Sequence, residues 1–159
     1  ELSDEIRQAM INDQFEGFLI PRRNFLLGGE IKHSRWSPDT HIWLWKKAAG
    51  KWVGQVHEEV ELDGPVGILK NGKLHYSHKT VKEFLQANNL YSSIASQQFK
   101  EKFSLLRLIW DPVYEFTLRY IYKLGFLDGW RGFILCYLMG FYKLTVWIKV
   151  WEKNKEMEE

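Results

Sequence analysis

Residues 35–78 read RWSPDTHIWLWKKAAGKWVGQVHEEVELDGPVGILKNGKLHYSH, and this stretch decides the fold. Its short apolar or alternating runs, such as HIWLW and KWVGQV, are typical of β-strands. Turn-forming combinations separate the runs: Ser37-Pro38-Asp39, Gly50, Asp63-Gly64-Pro65 and Asn71-Gly72. Together with the preceding run FLIPRRNFLL, the stretch predicts about four strands between residues 15 and 76.

On both sides of these strands the apolar residues recur at helical spacing. After Ser77 the turn signals stop, and residues 79–102 predict a surface helix that is interrupted near Asn88-Asn89. In residues 1–14, four apolar residues share one helical face and predict a short amphipathic helix: Leu2, Ile6, Ala9 and Met10.

Two further helices are predicted near the end of the chain. Asp111-Pro112 is a helix-start signal for a helix that runs to Gly125. Asp128 is placed to cap another helix, which continues past Trp151. The sequence therefore predicts an α/β protein in two parts. Short mixed strands (about 15–76) lie in residues 1–78, and amphipathic helices (about 79–152) lie in residues 79–159.

Length, charge and cysteine content limit the possible classes of protein. The 159 residues suffice for one domain with a real core. The net charge of +2, from 22 basic and 20 acidic side chains, gives no field that points to nucleic acid as the partner. Cys136 is the only cysteine, so an internal disulfide is impossible and a reducing compartment fits.

The helical stretch from 103 to 151 combines aromatic and basic residues. The chain has eight Trp, seven Tyr and ten Phe, many of them close to Lys or Arg. Such residues suit carbohydrate stacking, interfaces and the headgroup layer of a bilayer. The uncharged run between Arg131 and Lys143 is shorter than the roughly 18–20 residues of a spanning helix. The pattern favours a membrane-surface role over helices that pack on the body of a larger enzyme.

Candidate chemical groups gather around the turns and strand ends of residues 35–78, which hold four of the five His and four Trp. His57-Glu58-Glu59 follows a strand-like segment, so Glu58 and Glu59 point to opposite faces unless the strand ends there. One well-placed carboxylate suffices as a general base. Four residues are possible metal ligands, but they show no close metal-ligand spacing: Asp39, His57, His75 and His78.

Five motifs in order resemble a known family: GFLIPRRNFLLGG, WSPDTHIWLWKK, GQVHEEVELDGPVGILKNGKLHYSH, NNLYSSIAS and GFLDGWRGF. They resemble the C-terminal half of bacterial family 2 glycosyltransferases, a group that includes lipopolysaccharide core β-glucosyltransferases. The resemblance covers nearly the whole chain. It implies a GT-A fold, of which this chain would be the C-terminal half.

The resemblance also implies a division of labour. In this family an N-terminal half binds the nucleotide-sugar donor, and a DxD-type motif holds a divalent metal, Mg or Mn. The family helix that resembles LSDEIRQAM follows that acidic motif directly. This chain contains no DxD motif and no Gly-rich phosphate loop. We therefore expect the acceptor-side part of the catalytic domain, inactive by itself.

Site roles follow from the resemblance position by position. His57 and Glu58 match the family's His-Glu pair, with Glu58 as the candidate catalytic base. Arg22 and Arg23 match a basic pair that contacts phosphates or the acceptor; the alternative is an exposed edge-strand pair.

The Trp-x-Pro-Asp turn of the family matches Trp36, Pro38 and Asp39, where Asp39 supports the catalytic site or is simply a turn residue. Trp36 and His75 are candidate substrate-binding residues. Relatives often have Arg at the position of Trp43, so a sugar-stacking or core role is expected for Trp43 instead.

The expected function is an inverting transfer of a hexose from a nucleotide-sugar donor to a lipid-linked or lipopolysaccharide-type glycan. The expected location is cytoplasmic and peripheral, at the inner face of the cytoplasmic membrane. The alternative is a non-enzymatic membrane-surface or carbohydrate-binding module. A hydrolase would need a second carboxylate facing Glu58 across the scissile bond, which the sequence does not show.

Overall fold

The structure is a computed structural model, and it describes residues 1–53, 59–100 and 102–156. The mixed α/β class predicted from the sequence is confirmed. The described residues form four α-helices and seven strands, in the following order along the chain: α1 Leu2–Ile11, β1 Gly17–Leu26, β2 Gly29–Ile31, β3 Thr40–Trp45, β4 Gly50–Val53, β5 Glu59–Leu62, β6 Val66–Ile68, β7 Lys73–Tyr76, α2 Val81–Gln98, α3 Leu105–Thr117 and α4 Gly129–Glu156.

The chain forms two compact units, and neither is continuous in sequence. Unit 1 comprises Glu1–Asn24 and Ser37–His75, and unit 2 comprises Phe25–Trp36 and Tyr76–Glu159. The predicted division at residue 78 keeps residues 25–36 with the strands, whereas in the structure they group with the helices.

Unit 1 is built around β1, which supplies Phe18 and Ile20 to a small core with Ala9 of α1 and Leu69. β3 pairs antiparallel with β1, from Gly17↔Trp45 to Pro21↔Thr40. β6 pairs parallel with β1, and β7 pairs with it as well. β4 and β5 form a separate antiparallel ladder. This arrangement places the start of β3 and the middle of β7 beside the same segment of β1.

Unit 2 is helical, with α4 as its longest element. One core cluster joins Leu26 and Ile31 to Phe84 of α2 and Leu135 of α4. A second cluster consists of Val146, Trp147 and Val150 of α4, packed against side chains that include Ala95, Phe99 and Leu108. The apolar spacing of α4 thus buries one face against α2 and α3.

Hydrogen bonds also join α2 to α4. The ammonium of Lys149 lies 2.7–2.9 Å from four oxygens of α2, which belong to Asn89, Ser92 and Ser93. Lys153 donates to the carbonyls of Gln97 and Phe99 at the end of α2, where helix carbonyls lack backbone partners.

The expected helix start at Asp111-Pro112 is wrong, because α3 begins six residues earlier, at Leu105. The Ser104 hydroxyl accepts from the backbone N–H of Arg107 and caps this end. Pro112 lies inside the helix, where it removes one backbone hydrogen bond. The Asp111 carboxylate instead accepts from the Trp147 indole N–H at 2.8 Å.

The ends of the other helices also differ from expectation. α3 gives way to a π-helical turn, Leu118–Tyr122, before the expected end at Gly125. α2 runs without interruption through Asn88-Asn89. Asp128 precedes α4, but its carboxylate accepts from the backbone N–H groups of Lys32 and His33.

One helical stretch in the described part of the chain, Gly125–Lys155, is long and apolar enough to cross a membrane by length and composition alone. About a third of its most apolar segment is buried inside the described structure, so this stretch is partly covered by its own protein.

Candidate functional site

The most polar constellation in unit 1 centres on the carboxylate of Asp39. Its Oδ2 accepts from Arg22 Nε at 2.8 Å and from Asn24 Nδ2 at 2.8 Å. Its Oδ1 lies 2.8 Å from Nε2 of His41. On the far side of Asn24, the amide oxygen lies 2.8 Å from Nδ1 of His75. We call these five residues the Asp39 cluster.

Strand geometry explains why these residues meet. Arg22 and Asn24 are two positions apart in β1, so their side chains leave the same face. Asp39 directly precedes β3, and its carbonyl accepts from the Arg22 N–H at 2.7 Å, which continues the β1–β3 pairing. His75 comes from β7, which pairs with β1.

Opposing effects act on the pKa of Asp39. Burial alone would raise it, because a carboxylate loses hydration in the protein. Hydrogen bonds from Asn24 and Arg22, and the charges of Arg22 and His41, outweigh burial and lower the pKa below its ordinary value. Asp39 is therefore ionised at neutral pH and occupied by donors. These contacts suit a role in positioning Arg22, Asn24 and His41. They are less suited to a general base, which removes a proton.

An open cavity of about 180 Å³ lies next to this cluster in unit 1. Trp43 stands at one side, with the Lys73 ammonium 3.8 Å from the centre of its ring and His41 packed edge-on. Trp52 and Glu59 also line the cavity. Exposed indole rings beside a carboxylate and an imidazole are groups that stack on and hydrogen-bond to sugars. We call this the aromatic cavity.

The structure brings only some of the predicted site residues together. Arg22, Asp39 and His75 meet in the Asp39 cluster, and Trp43 lines the aromatic cavity. Arg23 follows Arg22 in β1 and therefore leaves the opposite face of the strand, where it is exposed. The predicted catalytic pair, His57 and Glu58, lies outside the described residues.

Trp36 and His78 belong to unit 2. The Trp36 ring packs edge-on against Phe84, and the Arg119 guanidinium lies 5.7 Å from its centre. His78 accepts or donates a hydrogen bond at Nδ1 with the Ser77 hydroxyl, at 2.7 Å, and its ring also packs on Phe84. Both side chains thus lie against the same aromatic residue of α2.

Sequence reasoning missed Asn24 and a second polar cluster in unit 2. Asn24 is 4% exposed and links Asp39 to His75. The only available signal was its place two residues after Arg22, on the same strand face.

In unit 2, Nδ1 of His33 lies 3.0 Å from the Asp128 carboxylate. The neighbouring Ser34 is fully buried, its hydroxyl is 3.0 Å from Cys136 Sγ, and its carbonyl accepts from Arg119. Burial raises the pKa of the Cys136 thiol, so this cysteine is a poor nucleophile. These contacts hold the segment after β2 against α4.

Metal binding finds little support in the described part of the chain. It contains no group of three or more His, Cys, Asp or Glu side chains arranged to hold a metal ion. The Asp39 carboxylate is already occupied by three donors. No step is therefore assigned to a metal on these residues.

Comparison with models of known families finds no match to the chain, and comparison with solved structures finds none.

Proposed function

We propose that this chain is the acceptor-side part of an inverting family 2 glycosyltransferase of the GT-A type. The reaction moves a hexose from a nucleotide-sugar donor to a lipid-linked or lipopolysaccharide-type glycan, at the inner face of the cytoplasmic membrane. The proposal assigns donor binding and a divalent metal, Mg or Mn, to a DxD-bearing half that this chain does not contain.

The observation that carries the proposal is the convergence of separate motifs. Arg22, Asp39 and His75 come from three motifs that resemble the family in order. In unit 1, Asp39 contacts Arg22 directly and is linked to His75 through Asn24. Trp43 supports the proposal further, because its exposed ring offers a stacking surface beside His41.

Inverting transfer needs one carboxylate to take the proton of the acceptor hydroxyl as its oxygen attacks the anomeric carbon. The bond from that carbon to the diphosphate breaks on the opposite side, and the nucleoside diphosphate leaves. The proposal gives this role to Glu58. Asp39 is assigned to positioning, since its lowered pKa and its three donors reduce its basicity. The aromatic cavity would hold the acceptor glycan, with Trp43 and Trp52 as stacking surfaces.

The test uses the full-length parent enzyme, with transfer measured for Glu58→Gln. Loss of a general base typically lowers kcat by about 10²–10⁴-fold. Glu61→Gln is the matched control, because Glu61 is an exposed carboxylate three residues away whose ion pair within the described residues is with the Lys51 ammonium, at 3.4 Å. Near-normal turnover of Glu58→Gln would remove Glu58 from the base role.

A second function, a non-enzymatic membrane-surface or carbohydrate-binding module, is favoured by the many exposed aromatic side chains of unit 2. This alternative predicts that residues 1–159 bind glycans or vesicles with unchanged affinity after Glu58→Gln. It also predicts that the parent protein contains no DxD-bearing segment. Sugar transfer by the parent protein would exclude it.

A further inference from the structure

The exposed surface of residues 105–151 is apolar and cationic. Seventeen large apolar or aromatic side chains in this fully described stretch are more than 40% exposed. Apart from Gly129, the only other exposed residues in the stretch are Arg107 and Lys123. Proteins in water rarely expose this much apolar surface unless a partner or a membrane covers it.

The carboxylates of this stretch are all engaged inside unit 2. Asp111 accepts from the Trp147 indole and lies 3.5 Å from Arg107. Glu115 is 5% exposed and pairs with Arg119. Asp128 is bound by the segment after β2. This surface has no exposed negative charge that would repel an anionic partner. Its exposed charges are positive, so they are complementary to anionic lipid headgroups.

The position of α2 indicates whether α4 lies on a membrane or crosses it. α2 packs along α4, from the Asn88 contact with the Leu138 carbonyl to the Lys153 contact with Gln97. Exposed polar side chains occur from one end of α2 to the other: Lys82, Glu83, Gln86, Asn89, Gln97 and Gln98. If α4 crossed a bilayer, these groups would enter hydrocarbon at a large cost. An orientation in the plane of one leaflet avoids this.

A groove between α3 and α4 opens within the apolar surface. Its volume is about 360 Å³, within the range of small-molecule sites. Gly140 lets the helices approach closely, since a Cβ there would lie 3.0 Å from the Pro112 carbonyl oxygen. The groove is lined by Pro112, Val113, Phe116, Tyr137, Gly140, Phe141 and Leu144. None of these side chains carries a charge.

We propose that this α3–α4 groove binds one acyl chain of an anionic phospholipid, with α3 and α4 lying in the plane of one leaflet. The lining suits hydrocarbon, and the same exposed surface carries the cations Arg107 and Lys123 for an anionic headgroup. This proposal rests on the membrane association in the proposed function, and it specifies which lipid the α3–α4 groove binds.

The experiment uses residues 1–159 and two probes, neither of which involves sugar transfer. The first probe is cis-parinaric acid, a fluorescent fatty acid, kept below its micelle concentration. The second is flotation with vesicles of phosphatidylcholine, either alone or with phosphatidylglycerol. Val113→Trp fills the groove at an exposed position, and Val113→Phe is a milder second variant. Ile68→Trp, at an exposed apolar position of unit 1, is the control.

We expect Val113→Trp to weaken fatty-acid binding at least tenfold and Ile68→Trp to leave it unchanged, with all proteins unfolding at similar temperatures. Flotation should require phosphatidylglycerol and should decrease with added salt. Equal fatty-acid affinity in the folded Val113 variants and the wild-type chain would overturn the proposal, and so would equal flotation on both vesicles. Either failure would leave the Glu58 test of the proposed function untouched.

Discussion

The two units use their charged side chains in opposite ways. In unit 1 the Asp39 cluster places an arginine, a histidine and an asparagine around one partly exposed carboxylate, next to an open cavity, and the asparagine also contacts a second histidine. In residues 105–151 of unit 2 the three carboxylates form internal contacts, and the exposed side chains are mostly apolar. The charges of the Asp39 cluster thus lie beside an open cavity, whereas the charges of Asp111, Glu115 and Asp128 hold elements of unit 2 together.

The largest effect that would test this contrast is expected at the buried pair of unit 2. Arg119→Met leaves Glu115 buried without its cation, and it also removes a hydrogen bond to the Ser34 carbonyl. Breaking such a pair usually costs about 3–5 kcal/mol. Urea unfolding should show this loss as a lower midpoint with a similar slope.

The matched control is Arg7→Met in α1. Arg7 approaches Asp4 at 3.8 Å, but both side chains are at least 70% exposed. Exposed pairs of this kind contribute about 0–1 kcal/mol, so the midpoint should hardly move. Equal losses of unfolding free energy in Arg7→Met and Arg119→Met would contradict the role of Arg119 as a stabilising partner of buried Glu115.

A smaller loss is expected from Asp39→Asn in unit 1. The amide keeps the shape but loses the charge-assisted hydrogen bonds from Arg22 and Asn24, which are worth about 1.5–3 kcal/mol when formed to a charged group. Partial exposure of Arg22 and Asp39 places the expected loss of unfolding free energy near the lower end of this range. Asp63→Asn, at an exposed turn, is the control, and a larger loss there would contradict the prediction.

The smallest expected effect is the contribution of Asp39 to the pH dependence of the unfolding free energy. Its folded-state pKa lies below its ordinary value of 3.8. The stability that it contributes is therefore fully present above pH 3.8, and it is lost as the pH falls through the folded-state pKa. Urea midpoints between pH 6 and 3 should fall more steeply for the wild-type chain than for Asp39→Asn. Parallel curves would show that Asp39 does not account for the acid sensitivity.

Local patterns predicted much of the fold, because they depend on neighbouring residues. The strand-rich character of residues 15–76, the helix near the start and the long final helix follow from periodicity and turn chemistry, but the described residues form seven short strands where about four were predicted. The helix start at Asp111-Pro112 failed for a tertiary reason. Trp147, 36 residues away, takes the Asp111 carboxylate as its acceptor and removes it from capping.

The site was predictable only in part, for a similar reason. The sequence selected Arg22, Asp39 and His75 as candidates, but it gave no sign that Asn24 links two of them. That link depends on the pairing of β1 with β7, whose residues are about 50 positions apart. The α3–α4 groove also depends on where α3 and α4 meet, which no local pattern specifies.

The discontinuous make-up of unit 2 affects how the chain folds during synthesis. Leu26 and Ile31 pack against Leu135, which the ribosome adds more than a hundred residues later. At about 5–20 residues per second, these side chains wait on the order of 5–20 s for that partner. Through this interval the nascent chain carries an unfinished apolar surface. A chaperone or the membrane itself is then in a position to bind this surface before the final helix leaves the exit tunnel.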